Sequence, residues 1–123
     1  MSGSSDKALL GQLNFVFLQV PDIQAVRDFY VETLGMAVEA DSPTFLQLAH
    51  PSGGGATLGI GVGETRGALP EVLWWTVQDT DAVHAALVER GVHIVSAPKD
   101  EPFGRTCAFA DPAGNVLNIF QPR

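Results

Sequence analysis

A repeated phrase restricts the fold of this chain more than any other feature. Val20-x-Asp22-x-x-Ala25-Val26 returns as Val77-x-Asp79-x-x-Ala82-Val83, 57 residues further on. Val31-Glu32 returns as Val88-Glu89 at the same spacing, and a glycine follows each copy, at Gly35 and Gly91. In both copies an apolar run leads into an Asp that reads as an N-cap. A helical pattern follows, then a glycine where a left-handed C-terminal residue belongs. Such self-similarity points to two copies of one supersecondary unit.

The stretches around the phrase complete the unit. From 13 to 20 the chain alternates, with Val16, Leu18 and Val20 on one face and Phe15, Phe17 and Gln19 on the other. A helix is expected from about 22 to 34, where Ala25, Val26, Phe29, Tyr30 and Leu34 recur at helical spacing. Short strands are expected at 36–39, at 45–49 after a turn at Asp41-Ser42-Pro43, and at 56–62. There Thr57, Gly59, Gly61 and Gly63 alternate with Leu58, Ile60 and Val62 and leave one face nearly bare. That face suits either close packing of another backbone or a groove floor kept open for a ligand.

After a turn-rich link the order restarts: a strand at 72–77, a helix capped by Asp79, and strands at 92–96, 106–110 and 116–120. Asp111-Pro112-Ala113-Gly114-Asn115 reads as the tight turn of the last hairpin. The expected fold is α+β: two βαβββ modules in tandem, forming a curved mixed sheet with a concave groove. A tail (1–12), a first module (13–63), a link (64–70) and a second module (71–123) make one structural domain.

Composition removes several functions. With 14 acidic and 7 basic residues the net charge is −7, the wrong sign for nucleic acid or an anionic membrane, though compatible with a cationic ligand. No apolar run approaches the ~20 residues that span a bilayer. The start lacks a signal peptide's basic and apolar stretches, and the single cysteine, Cys107, suits a reducing compartment. A cytoplasmic protein is expected.

Val20-Pro21-Asp22, Phe29-Tyr30 and Leu34-Gly35-Met36 in the first half make the chain resemble the vicinal oxygen chelate superfamily. So do Gly104-Arg105 and Phe109-Ala110-Asp111-Pro112-Ala113-Gly114-Asn115-Val116 in the second. This superfamily includes glyoxalase I, extradiol dioxygenases and bleomycin-resistance proteins. The resemblance runs from about residue 13 to 122. It implies a divalent metal held in the enzymes by His and Glu from four strands. Counted from the motif landmarks, those positions fall at Phe15, Val72, Asn118 and about Gly59, with Ile60 and Gly61 within register error. None is His, Asp or Glu, and phenyl, isopropyl and hydrogen have no lone pairs to give. The histidines, His50, His84 and His93, show no ligand spacing. Glyoxalase or dioxygenase activity is therefore in doubt, and no metal or other cofactor is expected.

The side chains at those positions, and their neighbours two apart, would share the groove face. They are Phe15, Phe17 and Gln19 on the first strand; Gly59 and Gly61 on the fourth; Val72, Trp74 and Thr76 on the fifth. The last strand adds Val116, Asn118 and Phe120. Phe103, on a loop at 98–105, is placed to close over a ligand, and Arg105 is placed to meet a ligand anion, Asp111 or another local acid. Aromatic area with a few amides and hydroxyls suits a planar, partly polar small molecule. The first reading is a metal-free binder of the bleomycin-resistance kind, which sequesters an aromatic or cationic antibiotic or natural product. The resemblance implies a homodimer with two grooves, each lined by both chains. The second is a lyase or isomerase with an atypical or absent metal site, for which Glu39 and Glu64 at the rim are the candidate bases. The third is a module whose groove is filled by its own aromatics.

Overall fold

The computed structural model describes residues 8, 9, 13–64 and 72–123. The expected tail (1–12) and link (64–70) fall almost wholly outside them. The first module runs β1 (Phe15–Val20), α1 (Ile23–Asp28), a π-helical turn (Phe29–Thr33), β2 (Ala37–Ser42), β3 (Phe45–Ala49) and β4 (Thr57–Val62). The second runs β5 (Trp74–Thr76), α2 (Thr80–Glu89), β6 (His93–Glu101), β7 (Gly104–Ala110) and β8 (Val116–Pro122). The strands form two four-stranded mixed sheets, ordered β1-β4-β3-β2 and β5-β8-β7-β6. In each, the strand before the helix lies parallel to the last strand of its module, and the other neighbours are antiparallel. This is the α+β, two-module arrangement that the repeat implies.

The repeated Asp does the same work twice. The Asp22 carboxylate accepts from the Gln24 and Ala25 amides at 3.0 and 3.4 Å, and Asp79 accepts from the Ala82 amide at 3.1 Å. Gly35 and Gly91 both leave their helices in the left-handed region, at φ 76° and 75°. Between cap and glycine the copies differ. The first helix is not one α-helix over 22–34: after six residues it widens into the π turn, and Leu34 N–H donates to Phe29 C=O at 3.0 Å. The second is α-helical for ten residues.

The side chains on the helix-bearing sides of the two sheets meet in one core. Val20, Leu46, Leu48, Leu58 and Ile60 from the first sheet join Leu73, Cys107, Phe109, Leu117 and Ile119 from the second. Val26 and Tyr30 come from the first helical segment, Leu87 from α2. Phe29 and Phe109 bring their ring centroids to 6.5 Å across the joint. Burial pushes the Cys107 thiol up from its usual range, which fits a small core residue.

Two local expectations are corrected. β2 runs to Ser42, so the turn falls at Pro43-Thr44 rather than within 41–43. The 98–105 segment is not a loop. β6 continues to Glu101 through irregularities near Ser96, and β7 begins at Gly104, leaving only Pro102-Phe103 as the turn. The irregular pairing accommodates Pro98, which has no N–H for the ladder. A side chain at Gly104 would collide with the Gln121 carbonyl oxygen, so only glycine lets β7 start this close to β8. Among the described residues no helix is long and apolar enough to cross a membrane.

Candidate functional site

With the helix-bearing sides joined in the core, the opposite faces of the two sheets lie on the outside. Residues paired across a ladder share a face, so the register assigns each one.

On the first sheet Phe15 pairs with Thr57, Phe17 with Gly59 and Gln19 with Gly61. From β3, Phe45 pairs with Gly61 and Gln47 with Gly59. The rings of Phe17 and Phe45 are nearly parallel, with centroids 6.2 Å apart and planes 15° apart. Gln47 Nε2 donates to Thr57 Oγ1 at 3.0 Å beside them.

On the second sheet Trp74 pairs with Asn118 and Thr76 with Phe120, while Thr106 and Ala108 face the same way from β7. Trp74, Phe103 and Phe120 form a triangle of edge-to-face rings, with centroids 5.9, 6.0 and 6.1 Å apart. Phe103 stands at the tip of the β6–β7 hairpin and completes this triangle. Trp75, Leu117 and Ile119 point into the core instead.

The aromatics on both faces remain accessible: Phe15 48%, Phe17 47%, Trp74 38% and Phe103 52%. Val72, just before β5, is also exposed. So many large apolar groups on two faces of a small domain mark contact surfaces, because isolated soluble domains rarely expose contiguous apolar patches.

Arg105 is not on these faces. Its Nε and Nη2 donate to the Asp81 carboxylate at 2.8 and 3.1 Å, and its Nη1 donates to Asp100 Oδ1 at 3.0 Å. Asp81 belongs to α2, so this cluster sits on the helix side. The acids hold the guanidinium protonated, and Arg105 in turn lowers the Asp81 carboxyl from its ordinary range.

Asp111 does not meet Arg105 either. Its Oδ2 accepts from the Tyr30 hydroxyl at 2.6 Å and from Asn115 Nδ2 at 2.9 Å. Its Oδ1 accepts from the Ala113 and Asn115 amides at 2.9 and 2.8 Å. One buried carboxylate thus folds its own turn and ties it to the other module. Burial, then the neighbouring carboxylate, pushes the Tyr30 hydroxyl far above the usual phenol range. Phe45 and Gln47 were missed from the sequence, although β3 alternates. Leu46 and Leu48 claim the core, which sends Phe45 and Gln47 to the other side.

The four positions that the resemblance assigns to a metal do not form a ligand set. Phe15, Gly59 and Val72 offer no lone pair, and Asn118 is buried with its Nδ2 donating to the Leu73 carbonyl at 3.0 Å. Among the described residues no group of three His, Cys, Asp or Glu is placed to hold a metal ion.

A separate cleft of about 730 Å³ opens between the modules on the helix side, bordered by Val16, Leu58, Trp75, Val83 and the Gly53–Gly55 loop. Its border takes in three outer-face residues, Thr57 at the start of β4 and Trp74 and Thr76 on β5.

Two outward faces that carry rings and amides, on paired βαβββ modules, define a class that uses one scaffold for binding or for chemistry. The chain belongs to the Glyoxalase/Bleomycin resistance protein/Dioxygenase superfamily, whose profile matches residues 12–119. It is similar to TnmS3, an antibiotic binding protein from Streptomyces sp. CB03234. The two are 32% identical with a TM-score of 0.74, over 94% of this chain and 99% of that one. A superfamily member from Sphaerobacter thermophilus shares the fold, with a TM-score of 0.79 at 24% identity over 93% and 99% of the two chains. The anthracycline biosynthesis protein DnrV of Streptomyces peucetius is 30% identical over the whole chain. That alignment takes in 46% of DnrV, so the chain spans about half the length of the curated relatives it matches.

Proposed function

We propose that this chain is a metal-free binding protein that sequesters an aromatic or cationic antibiotic or related natural product without transforming it. The observation that carries the reading is the Trp74–Phe103–Phe120 triangle, kept at the surface on the face where the family's enzymes place their metal. The donor-poor residues at Phe15, Gly59, Val72 and Asn118 support a metal-free site. The antibiotic-binding role of TnmS3 supports the ligand class. Each aromatic face is an open half-groove. A homodimer that sets the first face of one copy against the second face of the other would enclose the ligand on both sides. Phe15, Phe17, Gln19, Phe45, Trp74, Thr76, Phe103 and Phe120 then line it. A soluble, cytoplasmic setting belongs to the same reading.

The test is a tryptophan-fluorescence titration with an anthracycline and with bleomycin, each with and without chelator, followed by chromatography of the recovered ligand. Saturable quenching indifferent to chelator, with ligand returned unchanged, is the expected outcome. Trp74→Ala should weaken binding by about 1–3 kcal/mol, the range for truncating a buried aromatic anchor. Chelator-sensitive binding or a modified ligand would move the chain to the enzyme reading.

A further inference from the structure

The bare face of β4 is neither open nor packed against another backbone. A methyl group on Gly61 would come within 2.6 Å of Phe17 Cζ. One on Gly59 would come within 3.3 Å of both Phe17 Cδ1 and Phe45 Cε1, and one on Gly63 within 2.9 Å of the Gln19 amide. Side chains from both flanking strands therefore lean across β4 and occupy the space its own side chains would fill. β8, the equivalent strand of the second module, carries Asn118 and Phe120 on the corresponding face, and its rings meet edge to face instead.

We propose that Gly59 and Gly61 are specificity-determining residues of the groove. By lacking side chains they let Phe17 and Phe45 lie low over β4 with nearly parallel planes. That sets the depth of this half of the groove and selects a planar, fused-ring ligand over a bulky one. The proposal rests on the binding reading above. It adds that the glycines act through the rings and not by touching the ligand. No backbone strain confounds it, since neither glycine is in the left-handed region. The atom nearest Gly61 is the far end of a side chain with two rotatable bonds. Alanine at 61 would lift the Phe17 ring and leave the strand in place.

Two measurements test this. The first needs no ligand. In the proton spectrum the Gly61 α-protons should be shielded by the Phe17 ring and move downfield in Phe17→Leu; no movement overturns the proposal. The second titrates doxorubicin, as the anthracycline, and anthraquinone-2-sulfonate, as a bare planar tricycle. The proteins are the wild type, Gly61→Ala, Phe17→Leu and the double variant. Gly61→Ala is expected to weaken planar-ligand binding by about tenfold, a 1.4 kcal/mol effect, with thermal stability nearly unchanged. In the Phe17→Leu background the same substitution should have almost no effect, because no ring remains to be displaced. Equal losses in both backgrounds overturn the proposal, and so does unchanged binding in Gly61→Ala. Loss of doxorubicin binding alone, with the tricycle still showing the coupling, would sink the antibiotic reading and leave this one standing.

Discussion

The two modules share a backbone plan and differ in what their fourth strands carry. In the first, β4 is glycine on alternate positions and the neighbouring phenylalanines lean over it. In the second, β8 is fully dressed, and Trp74, Phe103 and Phe120 brace one another edge to face. A duplicated fold thus yields two unlike surfaces by changing side-chain size on one strand. No strand order, register or cap has to move for that. The second contrast is in the helices. Only the first widens into a π turn, and that turn carries Tyr30, whose hydroxyl reaches Asp111 of the other module. The modules are alike where each folds itself and unlike where they meet each other and on their outer faces.

The joint is the place to break the comparison most severely. Asp111→Ala removes the acceptor for the Tyr30 hydroxyl, for Asn115 Nδ2 and for two turn amides, most of them buried. At ~1–3 kcal/mol for each of the four donors left without a partner, a loss on the order of 4 kcal/mol or more is expected. That is a large share of the 5–15 kcal/mol that holds a typical domain folded. Urea denaturation measures it. Tyr30→Phe should cost less, since the carboxylate keeps its other three donors. If Asp111→Ala costs no more than Tyr30→Phe, the carboxylate is not organising the turn.

The caps sharpen the likeness. Asp22→Ala and Asp79→Ala should each destabilise by about 1 kcal/mol, the usual cost of removing an N-cap carboxylate. Equal effects, read from the same denaturation curves, would show that the repeated Asp performs one task in both modules. A much larger cost at Asp79 would point to the neighbouring Thr80, which is fully buried. Its amide donates to Gln121 Oε1 at 2.9 Å and its hydroxyl to the Arg105 carbonyl at 2.8 Å.

What the sequence revealed and what it hid divide along the range of the interactions. The repeat, the caps, the closing glycines and the alternation of Phe15, Phe17 and Gln19 are local signals, and they were legible. The two-module fold followed from them, and the family from the motif residues around Asp22, Tyr30, Gly35 and Asp111. The Tyr30–Asp111 bond joins residues 81 apart, and no local pattern announces it. The π turn differs from an α-helix by one residue per turn, too little for apolar spacing to resolve. The 98–105 segment was misread because Pro98, Pro102 and Gly104 are the usual marks of a loop, while the strand pairing absorbs Pro98 and Gly104 and leaves Pro102 in a two-residue turn. Arg105 was read as meeting a ligand anion or a nearby acid. Only the register shows which face it is on, and that it meets Asp81 and Asp100.

The smallest expected effect concerns that Arg105 cluster; the first module's helix makes a different ion pair, Arg27 of α1 with Asp41 of β2. The guanidinium beside Asp81 lowers its carboxyl below the ordinary 3.8. A group whose pKa is depressed on folding adds stability above its unfolded value and loses it as pH falls through the folded one. Any contribution from Asp81 is thus present at neutral pH and fades only below about pH 4. Both partners lie at the surface, so salt should screen it as well. Wild type and Asp81→Asn should therefore differ slightly at pH 7 and low salt, and converge in high salt or as the pH falls through the lowered Asp81 value. A difference that persists in high salt would mean the Asn variant acts through α2, for example by altering the first helical turn, and not through charge.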